Sequence, residues 1–373
     1  MADRLPKELI AEILTRLPVR ALLKFRCVCK SWCSLISSPK FITSKLNQTI
    51  HLNKINNTDT HIIGRYINDY EEGAGGEGRF SVILYDGSCF IELENPIPYC
   101  HSEFHIFGSC NGLVCLSDNV FDSVFNKLNN LILWNPSIRK SMRLPMSSIG
   151  IDSHGLRRVV DGYGFDYKTN DYKVVRISYI NDLPDAEVEL FSLNRGCWRR
   201  ICGVGPHHRF TFYPLPCQAF VNGIVHWAGA NLDAASDISI LTFDMSSEVF
   251  CKMKPPPAPP NGWVGARMAV SVLRESLCLG HFDFLVSKVS IWVMKEYGVV
   301  ESWTKSFSFD VDEGFGLLLG FRRNGDLLFF KRNDHMFSIN RDSQQAEDVG
   351  IRLYGDPETF YAVPHVAESL VLL

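Results

Sequence analysis

A chain of 373 residues with 46% hydrophobic and 21% charged side chains has the balance of an ordinary globular protein, long enough for one large domain and a small second one. No apolar run approaches the ~20 residues that a membrane helix needs, and MADRLPKELIAEIL meets Asp3 and Arg4 at once, unlike a signal or transit peptide. The net charge of −3 hides an asymmetry: residues 1–46 hold nine Lys/Arg against three acids, a balance of +6, which leaves −9 for the remainder. A basic head on an acidic body points to an acidic partner for the head, either protein or nucleic acid. The twelve cysteines are scattered without a disulfide-type spacing, so they are read as reduced, mostly buried thiols of the cytosol or nucleus. On that reading the sequons at Asn47 and Asn56 carry no weight.

In chain order, LPKELIAEILTRLP places Leu5, Leu9, Ile10, Ile13, Leu14 and Leu17 at helical steps of three and four. Asp3 is placed to cap this helix, Pro6 to sit in its first turn and Pro18 to stop it. A second helix is expected from near Val19 through RALLKFRCVCKSWCSLISS, with Leu22, Phe25, Cys29, Trp32 and Ile36 on one stripe widened by Val28 and Leu35. Three cysteines in FRCVCKSWC resemble the start of a metal site. On a helix, however, Cys27 and Cys29 diverge by about 200°. Cys29 with Cys33 still leaves zinc two ligands short. The thiols are therefore read as packing. Pro39 ends this helix, and KFITSKL is read as a short closing segment. Such a head is too small to be comfortable alone. It is either a cap docked on the body or a surface completed by another protein's helices.

From residue 60 the texture changes to short strands between turn signals. Apolar-alternating strands end at Asp86, Asn135, Asn194, Asp244, Met294 and Asn340, at intervals of 46 to 59 residues. A period near 50 with several strands per period indicates a β-propeller. Asn-Gly pairs at 111–112, 222–223 and 324–325 read as hairpin turns. A blade cannot bury both faces alone, so neighbours complete each other. The segment FYAVPHVAESLVLL is expected to close the ring against residues 48–67.

Other motifs carry no chemistry. GAGGEG (73–78) lacks the preceding strand and following helix of a dinucleotide site. His101 and His105 fall in a strand-like context, His207 and His208 in a loop, and PPPAPP (255–260) is an inter-blade linker or polyproline stretch. No triad or nucleophile elbow is present, so intrinsic catalysis is not expected.

Two stretches carry a family resemblance. LPKELIAEILTRLPVRALLKFRCVCKSWCSLISSPKF is similar to a plant F-box, through Leu5-Pro6, Ile13-Leu14, Leu17-Pro18-Val19, Val28-Cys29-Lys30-x-Trp32 and Leu35-Ile36-Ser37; Arg20-Ala21 departs from the more usual Lys-Ser. GSCNGLVCLSD, LILWNPSIRK, YGFDYKTNDYKVVRI, AFVNGIVHWAG and the final ESLVLL resemble the F-box-associated (kelch-like) domain, in both its general and its pollen S-locus branches. The resemblance implies a mainly β chain with a small all-α module: a three-helix F-box over 1–46, a linker and first strand over 47–60, and a propeller-like substrate-recognition domain of about six blades over 61–373.

It further implies a non-catalytic, cofactor-free and metal-free subunit of an SCF-type cullin–RING ubiquitin ligase, cytoplasmic or nuclear. This subunit would dock on a Skp-type adaptor through Leu5, Pro6, Leu9, Ile13, Leu17, Pro18, Leu22, Leu23, Val28 and Trp32. It would recruit a protein substrate; in the S-locus branch that substrate is a style ribonuclease. Recognition is expected on loops 64–79, 118–130, 146–161, 203–217 and 254–267, with Phe210, Phe212, Tyr213 and Trp263 as candidate anchors. The alternatives are a nucleic-acid-binding protein using the basic head and a propeller enzyme.

Overall fold

The computed structural model describes residues 6–56, 60–67, 79–86, 89–93, 96, 104–121, 127–147, 149, 156–180, 185–202, 210–212, 218–231, 234–258, 263, 266–283, 285–310, 315–331, 335–352, 361–364 and 366–371. It opens with four helices: α1 (Lys7–Thr15), α2 (Val19–Phe25), α3 (Lys30–Ile36) and α4 (Pro39–Ile55). Ser38 caps α4 by accepting from the Phe41 amide at 3.3 Å, and Pro39 opens it with φ already set.

The helical region departs from expectation in two places. The second expected helix is broken into α2 and α3, because Cys29 is extended (φ −161°, ψ 161°) and the 100° step is lost across it. KFITSKL is not a short closing segment but the first half of α4, which continues to Ile55 through most of the stretch read as linker.

Six antiparallel sheets follow. In chain order the strands are β1 (His61–Ile67), β2 (Arg79–Tyr85) and β3 (Phe90–Leu93) in blade 1. Blade 2 holds β4 (Phe104–Cys110), β5 (Leu113–Phe121), β6 (Lys127–Asn135) and β7 (Lys140–Arg143). Blade 3 holds β8 (Leu156–Asp166), β9 (Asp171–Ile180), β10 (Glu187–Ser192) and β11 (Cys197–Ile201). Blade 4 holds β12 (Phe210–Phe212), β13 (Ala219–Val221), β14 (Ile224–Asn231), β15 (Ala234–Asp244) and β16 (Phe250–Met253), with β12 and β13 both pairing β14. Blade 5 holds β17 (Ala266–Leu273), β18 (Ser276–Asp283), β19 (Lys288–Met294) and β20 (Trp303–Asp310). Blade 6 holds β21 (Phe315–Phe321), β22 (Leu327–Lys331), β23 (His335–Ile339) and β24 (Ala346–Arg352).

The remaining strand, β25 (Tyr361–Pro364), returns to blade 1 and pairs β1, with Tyr361 opposite Gly64 and Pro364 opposite His61. The ring is closed by chain ends, as the sequence suggests. His61, fully buried, bonds the Phe321 carbonyl at 3.1 Å through Nε2 and ties blade 1 to blade 6.

Every one of the six repeat strands read from the sequence is the third strand of its blade. Five of them end in Asn or Asp and the blade 5 strand in Met294; at four, Asp86 included, that side chain turns the chain toward the fourth strand. Asn135 accepts from the Ser137 amide, Asp244 from Ser246 and Ser247, and Asn340 from Asp342 and Ser343. These are Asx turns, which the side chain holds without help from distant packing.

The apolar interior is divided among the seams between blades. Ile62 and Val82 face blade 2, whereas Ile63 and Ile83 face blade 6. Tyr172 and Val174 face blade 2, and Val175 and Ile177 face blade 4. The two-residue period of a strand thus feeds two different seams. Between blades 3 and 4, the Trp227 ring occupies the place of a side chain at Gly162, with Cζ2 2.2 Å from where a Cβ would stand. This contact joins the residue just before the YGFD stretch to the VHWAG stretch.

In the next seam His226 is fully buried, with Nδ1 against the Ala219 carbonyl (3.2 Å) and Nε2 against the Tyr297 hydroxyl (2.8 Å). Burial pushes its imidazole down from 6.5 to about 4. The unfolded chain therefore takes up a proton near pH 6.5 that the folded chain refuses until about 4. Stability is complete above that interval and falls as pH drops through it, by up to about 3 kcal/mol. His281, buried beside Trp263, is lowered for the same reason and adds to the fall. Urea midpoints are expected to decline across this interval, and His226→Gln to make the decline shallower; an unchanged slope would exclude His226 as its source.

Candidate functional site

The helical head has a small core of Leu14, Val19, Leu22, Ile36 and Phe41, and it is incomplete without the body. Leu370 from the C-terminal segment is inserted among these residues at 2% exposure, and Ile138 from the β6–β7 turn packs beside it. The segment 366–371 is a strap bound on both sides. Below it, Asn135 Nδ2 donates to the carbonyls of Ser369 (3.1 Å) and Val371 (2.9 Å), and the Ser369 amide donates to Ser137 Oγ (3.1 Å). It crosses directly over the Asn111-Gly112 turn. A Cβ at Gly112, where φ is +80°, would stand 2.3 Å from the Ser369 side chain and 2.6 Å from the Ala367 carbonyl. Glycine is needed there for the turn and for the strap's passage.

Above the strap, the Val19 amide donates to Glu368 Oε2 at 3.1 Å. Pro18 precedes α2 and has no side-chain acceptor for the first amides of the helix. A carboxylate from 349 positions away fills that role and places negative charge at the positive end of the helix. Burial lowers the Lys45 ammonium of α4, and Glu368 partly offsets this. A further tie, Lys54 to Glu275, joins α4 to the β17–β18 turn of blade 5.

The adaptor-contact candidates are sorted by this seat. Leu9, Ile13 and Val28 are 46%, 53% and 61% exposed, large values for such side chains. Pro6 and Pro18 are exposed too, and Leu17, Leu23 and Trp32 are half-buried. Trp32 meets Phe25 edge-on at 5.5 Å. Leu22 is fully buried and holds the core from beneath. Leu5 lies outside the described residues.

The cysteine reading changes. Cys29 is not on a buried stripe: Cys27 and Cys29 are exposed and Cys33 half-buried. The Ser31 hydroxyl, 3.1 Å from Cys29 Sγ, lowers that thiol. In the body Cys110, Cys115 and Cys278 are buried, while Cys89, Cys197, Cys202 and Cys251 are exposed, so the thiols are not mostly buried. Among the described residues no three His, Cys, Asp or Glu side chains gather as metal ligands.

The aromatic anchor candidates among the described residues do not gather in one loop. Phe210 and Phe212 lie in β12, in register with Asn231 and Gly229. Trp263 is 8% exposed and packs edge-on against His281 at 4.8 Å. Tyr213 lies outside the described residues. The YGFDYKTNDYKV stretch, by contrast, has a structural task that its spacing does not reveal. Lys173 Nζ reaches Asp166 (2.8 Å), the Met245 carbonyl (2.8 Å) and Glu248 (3.0 Å), which links blade 3 to blade 4. Burial alone would raise the Asp166 carboxyl. Lys173, the Ser246 and Thr169 hydroxyls and the Lys168 amide outweigh it and hold the group well below the usual carboxylate range.

In antiparallel blades the first-to-second and third-to-fourth turns share one face. Asn111-Gly112, Ile138 and Glu275 all lie in such turns, so the head sits on that face. The expected recognition loops fall largely outside the described residues. The strand ends that bound them, such as Ile67 and Arg79 or Phe121 and Lys127, lie at the opposite face.

Fold and seat together define a two-module protein: a small helical head with exposed apolar side chains, strapped to one face of a closed six-bladed ring. Its family follows from comparison with known proteins. Residues 3–44 match the F-box domain and residues 83–367 the F-box associated beta propeller domain; the chain belongs to this family. It is 31% identical over 322 residues to the F-box protein CPR1 of Arabidopsis thaliana, covering 82% of this chain and 72% of that one. It is 29% identical to an F-box/kelch-repeat protein of the same plant, covering 85% of both chains. Among solved structures, TolB from Acinetobacter baumannii superimposes with a TM-score of 0.48 at 11% identity, over 82% of this chain and 66% of that one.

Proposed function

We propose that this protein is the client-recruiting subunit of an SCF-type cullin–RING ubiquitin ligase, working in the cytosol or nucleus, and that it performs no bond chemistry itself. The observation that carries this reading is the exposure of Leu9, Ile13 and Val28 on a head whose own core is already filled from below by Leu370. Apolar side chains left outside a completed core are surface for a partner. The cationic balance of the head suits an acidic adaptor of the Skp type.

The strap gives the arrangement its use. Head and ring are joined by packing and hydrogen bonds, so a client on the far face is held at a set distance from the ligase. The gain is effective concentration, which reaches the millimolar range for a tethered partner.

The test is co-elution of the full chain with a purified Skp-type adaptor, followed by capture of cullin and RING subunits. Failure of the adaptor to co-elute overturns the reading. A narrower version makes the client a secreted style ribonuclease, and retention of such a ribonuclease by the immobilised complex is its test.

A further inference from the structure

The outer edge of the ring is electrostatically polarised. The fourth strands are sheet edges, each paired on one side only, so each offers a row of backbone groups to an extended chain. In blades 2, 3 and 4 these strands and the residues flanking them carry exposed Lys140, Arg143, Arg195, Arg200, Lys252 and Lys254. The acids next to this row are already paired, and Glu187 lies 3.7 Å from Arg200 of the row itself. Asp244 accepts from the Ser246 and Ser247 amides, and Glu248 is tied to Lys173 and Arg199. The corresponding strands of blades 6 and 1 carry exposed Glu347, Asp348 and Glu92 against one exposed cation, Arg352.

We propose that the edge of blades 2 to 4 is a docking surface for an extended acidic segment of a partner protein. The segment would pair with one of these edge strands, with its carboxylates reaching the cations on that strand and its neighbours. This mode combines main-chain pairing with charge selection. A nucleic acid fits the surface less well, because single strands need aromatic platforms. Of the aromatics that the described residues place on this edge, Phe250 packs on Phe243 at 4.7 Å and Trp198 is likewise committed. Its indole donates to the Pro145 carbonyl at 2.7 Å, and its ring lies 5.3 Å from the Arg176 guanidinium and packs on Phe191. The surface is separate from the exposed apolar side chains of the head, so this inference stands or falls independently of adaptor docking.

The test is fluorescence anisotropy of a labelled peptide of alternating Glu and Thr with the full chain. Binding is expected to weaken with added salt. The triple variant Lys140→Glu, Arg195→Glu, Lys254→Glu is expected to weaken it about tenfold or more. Lys305→Glu on blade 5 is expected to leave it within about twofold. Matching urea midpoints show that the variants are folded. Equal peptide affinity in the triple variant overturns the proposal. So does tighter binding of single-stranded RNA than of the peptide, or peptide indifference with salt-sensitive dimers in sedimentation, which would make the acidic edge of a second copy the occupant.

Discussion

Leu370→Asp is expected to unfold the helical head while the propeller stays folded. Leu370 is 2% exposed and sits among Leu14, Val19, Leu22, Ile36 and Phe41. Removing its side chain costs about 2–5 kcal/mol in a core of this kind, and a carboxylate in its place adds a desolvation cost. A single core in so small a module supplies only about 3–5 kcal/mol, so the head has no reserve to absorb the change. Each seam of the ring has its own buried cluster, and none of those includes Leu370. Amide exchange should therefore show lost protection at Leu14, Leu22 and Ile36 and retained protection at Val175 and Phe329. The volume-conserving Leu370→Met should keep both. Unchanged protection of the head in Leu370→Asp would show that the strap is decoration.

The second large effect separates docking from folding within the same head. Ile13→Asp and Val28→Asp alter side chains that are already mostly in water, so the urea midpoint should move little. As partner contacts they fall in the class of side chains whose loss costs about 2 kcal/mol or more, which is roughly thirtyfold in affinity each. Leu22→Ala should give the reverse pattern at first: a lower midpoint, with affinity lost only to the extent that the head unfolds. Full adaptor affinity in the Ile13→Asp, Val28→Asp double variant would place the docking face elsewhere on the head.

The ring was legible because its signals are local. Two-residue alternation marks the third strands, and an Asn or Asp at the strand end makes the next turn by itself, as at Asn135, Asp244 and Asn340. The break between α2 and α3 was not legible, because no Gly or Pro stands between Phe25 and Lys30 and the apolar spacing runs on across it. The length of α4 was hidden for another reason. NQTIHLNKI shows little amphipathic pattern. The inward side of α4 at this end is the buried Leu46 and Thr49, while Leu52 and Ile55 are exposed, and the Lys54–Glu275 pair joins its end to blade 5. Trp263 looked like a loop anchor because residue type says nothing of what lies above it; His281, eighteen positions on, provides the cover. The seat of the head was the least readable feature, since Glu368 and Val19 meet only through the completed ring. ESLVLL was recognisable as a family ending, but its spacing holds no trace of what it supports.

That seat also sets an order of events in the making of the protein. The head leaves the ribosome first, yet its core awaits a leucine and its α2 helix a carboxylate encoded about 350 positions later. Domains fold as they emerge, at about 5–20 residues per second, so the head spends its first tens of seconds without its support. A chain broken off before Tyr361 lacks the strand that closes blade 1 and the strap as well. Such a fragment carries every candidate docking residue but lacks Leu370 and Glu368, which support the head. On the proposed function, a prematurely terminated copy is expected to bind the adaptor more weakly than the full chain.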